Sequence, residues 1–193
     1  MNLSKRQKEI IEASLEIIGE GGIQALTIKN ISKNVGISEP AIYRHFESKT
    51  QILLSILDYF IVNNKKIIQK DLIENKSISE IINLLFDNFI QTFITYPYLI
   101  SVIFSEEIFR NEPIFKNKSS QIINENFDMI TQLIKKGQEN NEIHKHLNPQ
   151  ALATVIMGSL RLCVKRWQMS EYDFDLSKEG NKLKKTILKM LLK

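Results

Sequence analysis

The sequence predicts an all-α protein of two parts. Only seven glycines and four prolines interrupt its 193 residues, and the stretches between them repeat apolar residues at intervals of three and four, which is the spacing of one helix face. No stretch of useful length alternates apolar and polar residues in the manner of a half-buried strand. We therefore predict about nine helices, with three short ones in an N-terminal head and the others in a larger body.

Capping residues and glycines delimit the three helices of the head. The first helix ends in a glycine cluster at residues 19–22. Thr27 is placed to cap a second helix that closes at Gly36, because glycine readily adopts the left-handed conformation of a helix end. Ser38 is placed to cap a very short third helix with Pro40 in its first turn, where a missing N–H costs nothing.

A long fourth helix is predicted to join the head to the body. Ser48 and Gln51 have the spacing of a capping box, in which each side chain satisfies a backbone N–H at the helix start. Apolar pairs then continue one helix face over about residues 49–70. We place the domain boundary here, with a head at 1–48 and a body at 49–193.

Further capping and proline signals divide the body into five more helices. Ser77 and Glu80 form a second capping box. Proline favours the first turn of a helix, and the remaining helix starts are predicted near Pro97, Pro113, Pro149 and Leu176.

Composition indicates a cytoplasmic protein. The N-terminus lacks the apolar core of a secretory signal, and the single cysteine, Cys163, excludes an intramolecular disulfide. The longest uncharged run, 88–105, contains polar residues and Pro97, so we predict two buried helices and no membrane span. With 26 basic and 22 acidic residues the net charge is +4, which permits binding to nucleic acid without requiring it.

The stretch from Thr27 to Lys49 has the pattern of a helix-turn-helix. Two short helices are joined by a tight turn containing Gly36; in such motifs the first helix braces across the phosphate backbone and the second enters the major groove. The run through Val-Gly-Ile-Ser at 35–38 and Ala-Ile-Tyr-Arg-His-Phe at 41–46 to Ser-Lys at 48–49 resembles the signature of the TetR family of transcriptional regulators. The resemblance covers about the first sixty residues and implies a homodimer that binds double-stranded operator DNA.

Four residues are predicted to hold the DNA backbone. Thr27 at a helix N-terminus and Lys49 at the start of helix four suit phosphate oxygens on either side of a groove. The resemblance implies the same task for Tyr43 and His45. The alternatives are a plain helix cap for Thr27, a core position for Tyr43 and a solvated charge for Lys49.

The start of the third helix is predicted to face the bases. Ser38 and Pro40 begin it; Ala41 can touch a thymine methyl, and Arg44 can donate to guanine unless it is only a solvated charge. Glu39 can accept from a cytosine amino group, but it can equally repel phosphate. Residues 1–50 hold seven Lys or Arg and six Glu, a net charge of 7 − 6 = +1, so binding should depend on a few cations and be sensitive to salt.

The body is rich in phenylalanine, and most of these residues should be core. The resemblance implies an effector cavity among them, for a small lipophilic or aromatic molecule. The candidate lining residues are Phe60, Phe86, Phe89, Phe93, Phe104 and Phe127. Arg161 can pair with an anionic group of the effector, or lie at an interface or in solvent.

Helices eight and nine resemble the family's dimerisation pair. Their apolar faces supply the candidate interface residues Ile156, Leu160, Trp167, Leu183, Ile187 and Leu191. A twofold dimer with recognition helices one DNA turn apart, about 34 Å, would read a palindromic operator.

No catalytic constellation, cofactor motif or metal-ligand cluster accompanies these features. The only histidines are His45, His144 and His146, and the last two lie in a polar stretch before Pro149 with no carboxylate or cysteine cluster nearby. We therefore predict a ligand-responsive repressor that is not an enzyme, in which effector binding shifts helix four and turns the heads away from adjacent grooves. The alternative is a helical architectural protein whose body binds another protein and no small molecule.

Overall fold

A computed structural model describes residues 3–59, 76–105 and 113–192 of the chain. Within these ranges the regular structure is nine helices and a single isolated β-bridge, and the predicted all-α class is confirmed. The helices are α1 (Lys5–Ala25), α2 (Ile28–Val35), α3 (Glu39–Tyr43), α4 (Lys49–Leu57), α5 (Ile78–Thr95), α6 (Leu99–Ile103), α7 (Pro113–Glu139), α8 (Pro149–Met169) and α9 (Leu176–Leu191). The predicted continuation of helix four to residue 70, with Phe60, lies outside the described residues.

The predicted capping box at Ser77 is complete, whereas at Ser48 only the hydroxyl half forms, because the Gln51 side chain accepts its bond from the Glu47 N–H. The Ser48 hydroxyl accepts a bond from the Gln51 backbone N–H at 3.1 Å. At α5 the Glu80 N–H donates to the Ser77 hydroxyl at 3.3 Å, and the Ser77 N–H donates to the Glu80 carboxylate at 2.8 Å. The bonds from Ser77 hold the pKa of Glu80 below its ordinary value. Local sequence therefore fixes where these helices begin.

The backbone of the first helix breaks within the predicted glycine cluster. Gly19 and Gly21 are inside α1, and the backbone leaves helical geometry only at Gly22, with φ 71° and ψ −179°. A glycine is tolerated in a helix when neighbouring contacts offset its flexibility. The break is therefore a kink at Gly22, whose positive φ favours glycine, and α1 resumes as far as Ala25.

One compact unit comprises residues 1–63 and 96–120. In its described part, α1 packs against α2, α4 and α6. The core contains Ile10 and Ile11 of α1, Ile42 of α3 and Leu99 of α6, each 0% exposed. Asp58 and Lys118 form a salt bridge of 3.0 Å in this unit.

A second compact unit comprises residues 64–95 and 121–193. Here α9 packs against α5 and α8. A Cβ at Gly180 of α9 would lie 2.8 Å from Cγ1 of Ile90 of α5, so α9 and α5 are in close contact at this glycine. The loop after α7 is tied to the end of α9, because Ile143 bridges Leu192.

The uncharged run 88–105 is divided as predicted. The helix α5 ends at Thr95 and α6 begins at Leu99, with Tyr96 and Pro97 in the turn between them. None of the helices in the described ranges has both the length and the apolar character needed to cross a bilayer.

Candidate nucleic-acid interface

The turn between α2 and α3 is built by one glycine and one carbonyl. Gly36 has φ 74° and ψ 33°, a left-handed conformation that costs a residue with a side chain free energy. The N–H groups of Gly36 and Ile37 both donate to the Ser32 carbonyl at 3.0 Å. This pair of bonds closes α2 and sets the direction of the chain into α3.

The short helix α3 has a buried face and an exposed face. Ile42 is 0% exposed and Phe46, which follows the helix, is 2% exposed, so these two residues anchor it. Tyr43 is 53% exposed, which rules out the core position left open for it. Four further residues that are predicted to contact DNA are exposed: Ser38, Glu39, Pro40 and Arg44. Ala41 is half-buried.

Two of the predicted phosphate contacts, Thr27 and Lys49, lie at helix N-termini. Thr27 is exposed, and its hydroxyl accepts a bond from the Asn30 N–H at 3.1 Å. Since the hydroxyl accepts in that bond, its proton can still be donated to a phosphate oxygen. Lys49 is the first residue of α4 and is half-buried. Their contacts with DNA stay predictions.

His45 is half-buried just after α3. Its carbonyl accepts a bond from the Gln7 side-chain amide at 3.4 Å. This bond connects the start of α1 to the end of α3, the predicted recognition helix. The sequence pattern does not predict it.

The predicted effector residues differ in burial. Phe86 and Phe93 are 1% and 2% exposed, and Phe89 meets Phe93 edge-on, with ring centroids 4.9 Å apart. Phe127 is half-buried in the same unit. Phe104 is half-buried in the unit that contains α1 to α4.

A small cleft of about 210 Å³ lies between α5 and α9. Its residues are Phe86, Asp87, Ile90, Gln91, Ser177, Gly180 and Asn181. The cleft is smaller than the usual binding pocket for a drug-sized molecule and has polar residues at its edge. It is a poor match for the predicted lipophilic effector.

Two buried hydroxyls on α7 were not predicted from the sequence. The Oγ of Ser119 and the Oγ1 of Thr131 have no hydrogen-bond partner among the described residues, and each residue is only 7% exposed. Buried hydroxyls normally have a partner. The sequence signal was a polar residue within an apolar helix face, as at Thr131 between Ile130 and Leu133.

The predicted interface residues mostly belong to the core of the single chain. Leu183 is half-buried, and the other five are between 2% and 8% exposed: Ile156, Leu160, Trp167, Ile187 and Leu191. Such side chains fill the space between helices of one chain and are unavailable to a second copy. A dimer surface on α8 and α9 needs other residues.

Exposed apolar side chains lie on a different face of α8. Val155, Leu162 and Met169 are 44%, 60% and 75% exposed, and they follow one another at intervals of seven. Met190 on α9 is 57% exposed. Periodicity does not single out this face, because α8 carries apolar residues on two sides; the seven-residue interval is the signal that the sequence offers. Arg161 is exposed on α8.

The other residues that could bind a metal or react as nucleophiles do not form a site in the described parts of the chain. The rings of His144 and His146 have centroids 5.4 Å apart, but no group of three or more potential metal ligands occurs in the parts of the chain that the structure describes. Cys163 is half-buried, and burial raises the pKa of its thiol, which lowers its reactivity.

Comparison with known proteins places both parts of the chain in one family. The family model described as "Bacterial regulatory proteins, tetR family" matches residues 10–56, and one described as "YsiA-like protein, C-terminal region" matches residues 57–192. The fatty acid metabolism regulator protein of Bacillus subtilis is 22% identical over 174 residues, 89% of each chain.

Solved structures have the same fold. The fatty acid degradation regulator FadR from Bacillus halodurans aligns with a TM-score of 0.85 and 19% identity, covering 97% of each chain. FadR from Bacillus subtilis, in complex with stearoyl-CoA, aligns with a TM-score of 0.80 and 20% identity, covering 95% of this chain and 98% of that one. With family models matching almost its whole length, the chain belongs to the TetR family of bacterial transcriptional regulators.

Proposed function

We propose that the protein is a cytoplasmic homodimeric repressor that binds a palindromic operator and is released by a fatty acyl-CoA. The observation that carries the proposal is the exposed face of α3, which presents Tyr43 and Arg44 while Ile42 and Phe46 anchor the helix in the core. A short helix held in this way can enter a major groove without losing its support.

The place of each residue in its helix indicates which part of the DNA it would contact. Thr27 and Lys49 start α2 and α4, where helix dipoles and backbone N–H groups favour phosphate. Arg44 is exposed at the end of α3 and is our candidate for a guanine contact. Glu39 is exposed at the start of α3, so it either accepts from cytosine or disfavours other bases.

We place the dimer contact on the exposed apolar stripe of α8, defined as Val155, Leu162 and Met169, together with Met190 of α9. Apolar side chains spaced by seven residues form one line along a helix, and a second copy would cover them. Gly158 lies beside this stripe, and a Cβ there would meet nothing within 4 Å, so a neighbouring helix has room to approach. This proposal replaces the buried residues of the sequence prediction.

Three observations support an acyl-CoA effector. The relative that spans 89% of the chain is a fatty acid metabolism regulator, and the FadR structure holds stearoyl-CoA. In this chain the buried Thr131 hydroxyl needs a hydrogen-bond acceptor. A thioester or carboxylate oxygen of a bound acyl compound would supply one.

The proposal is tested by binding of the full chain to its own upstream DNA, measured by fluorescence anisotropy at about 50 mM and about 200 mM salt. Tyr43→Ala and Lys49→Ala should each weaken specific binding about tenfold. Lys185→Ala, an exposed lysine on α9, is the matched control and should bind like the native chain.

The same assay tests the effector. Stearoyl-CoA should release the DNA, whereas free CoA at the same concentration should not. Binding that ignores both head substitutions would refute the proposed interface. Binding to DNA without any response to stearoyl-CoA would refute the effector and leave the interface standing.

A further inference from the structure

The Tyr98 ring approaches the backbone of Gly19 so closely that it leaves no room for a side chain at position 19. A Cβ there would overlap Cδ1 and Cγ of the Tyr98 ring and would lie 2.6 Å from Cε1. Glycine weakens the interior of a helix relative to alanine, so its presence in α1 has a packing reason. The ring is seated directly on the backbone of α1.

This contact is one of two with tyrosine rings along the same face of α1. Lys8, Glu12 and Gly19 are separated by four and seven residues, which places them along one side of a helix. The ammonium of Lys8 lies 5.9 Å from the centroid of the Tyr59 ring, just after α4. Gly19 meets the Tyr98 ring, in the turn before α6.

Tyr96 belongs to the same group of side chains. Burial raises the pKa of its phenol, and the nearby Tyr59 and Glu12 raise it further. We call Tyr59, Tyr96 and Tyr98 the tyrosine strip, and all three lie in the compact unit that contains the head helices.

The helix that follows the strip is firmly held. Leu99, Ile100 and Val102 of α6 are each 0% exposed, and α6 packs against α1 within this unit. The segment 96–103 therefore cannot shift without moving either its own core or α1. Since Gln7 of α1 bonds the carbonyl of His45, α1 is also attached to the end of the recognition helix.

We propose that Tyr98, seated on Gly19, is a positioning residue for DNA binding: it fixes α1 on the segment 96–103 and passes displacements of that segment to the head. The inference rests on the proposed function and adds a second route of regulation to the predicted shift of helix four. Side chains in the strip act through α1 and do not touch DNA. The contact requires only the ring and the missing Cβ.

The test is a double-substitution cycle in the full chain, with binding to its own upstream DNA as the readout. Gly19→Ala inserts a methyl group where the ring lies and should weaken DNA binding about tenfold, within the usual range of such couplings. Combining it with Tyr98→Ala removes the overlap, so the double variant should bind DNA as Tyr98→Ala alone does. Glu20→Ala, an exposed neighbour on α1, is the control.

A second readout separates positioning from simple stability. The ratio of dissociation constants with and without stearoyl-CoA should fall towards one in Tyr98→Ala and stay at the native value in Tyr98→Phe, which keeps the ring. Thermal melting curves recorded in parallel should show Tyr98→Ala folded at the assay temperature. A structural role alone would lower the melting temperature without changing this ratio.

Each outcome decides the proposal. Native DNA binding by Gly19→Ala, or a double variant as weak as Gly19→Ala, would overturn it, as would a native effector response in Tyr98→Ala. If stearoyl-CoA fails to release even the native chain, the proposed effector is wrong, and the DNA affinities of the cycle alone decide whether the contact positions the head.

Discussion

The side-chain amide of Gln138 on α7 donates to two carbonyls of the following loop, those of His144 at 2.9 Å and Leu147 at 2.8 Å. The same loop is also bonded to α9, because the His144 N–H donates to the Leu191 carbonyl at 3.3 Å. One amide thus organises the connection between α7 and α8, and the His144 N–H bonds this connection to the end of α9.

Replacing Gln138 with leucine should destabilise the protein. Two partly buried carbonyls would lose their donor, at a cost of about 1–3 kcal/mol in the free energy of unfolding measured with urea. Gln121→Leu is the matched control, because the Gln121 amide bonds Glu125 on an exposed helix face and such pairs contribute only about 0.2–0.5 kcal/mol. Equal losses in both variants would contradict the bridging role.

Gly36→Ala should weaken the helix-turn-helix. At φ 74° an alanine side chain is strained by about 1–2 kcal/mol, whereas asparagine tolerates this conformation better. We expect urea unfolding and DNA affinity to rank the native chain first, Gly36→Asn second and Gly36→Ala third. If the alanine variant were as stable as the native chain, the turn would not depend on glycine.

Thr131→Val should leave the effector-free protein as stable or more stable, because it removes a buried hydroxyl that lacks a partner in the described residues. Thr92→Val is the contrasting change: its hydroxyl donates to the Asn88 carbonyl at 2.7 Å, and its loss should cost about 0.5–1.5 kcal/mol. Thermal unfolding compares the two. If Thr131 binds the effector, its valine variant will also need more stearoyl-CoA to release DNA.

Leu162→Glu should convert dimers to monomers at micromolar concentrations in sedimentation experiments, because a carboxylate would be buried without a partner in the α8 stripe. Ile123→Glu changes a residue on α7 that is 48% exposed and should leave the assembly unchanged. A dimer that survives Leu162→Glu would place the contact elsewhere. DNA affinity should fall with the loss of the dimer, since each half-site is then bound alone.

The sequence was sufficient for features that depend on neighbours in the chain. The helix caps at Ser48 and Ser77 and the break after Thr95 depend on local hydrogen bonds and backbone angles, so short patterns predict them. The exposed residues of α3 follow from the same kind of pattern, because Ile42 and Phe46 fix which side is buried.

Features that depend on packing between distant segments were not predictable in this way. Periodicity shows that α8 has apolar faces, but not which face meets the same chain; Leu160 and Leu162 differ only in what lies opposite them. The seat of Tyr98 on Gly19 joins residues 79 positions apart in sequence (98 − 19), and Gly19 by itself looks like a helix stop. The domain division at residue 48 stays a prediction.

The seven-residue interval of the α8 stripe also determines how two such helices can meet. A straight α-helix advances 3.6 residues per turn, so positions spaced by seven drift by about 20° with each repeat. The line through Val155, Leu162 and Met169 therefore winds slowly around α8. Two copies can keep these side chains in contact along their length only by crossing at a shallow angle of about 20°, in a left-handed sense.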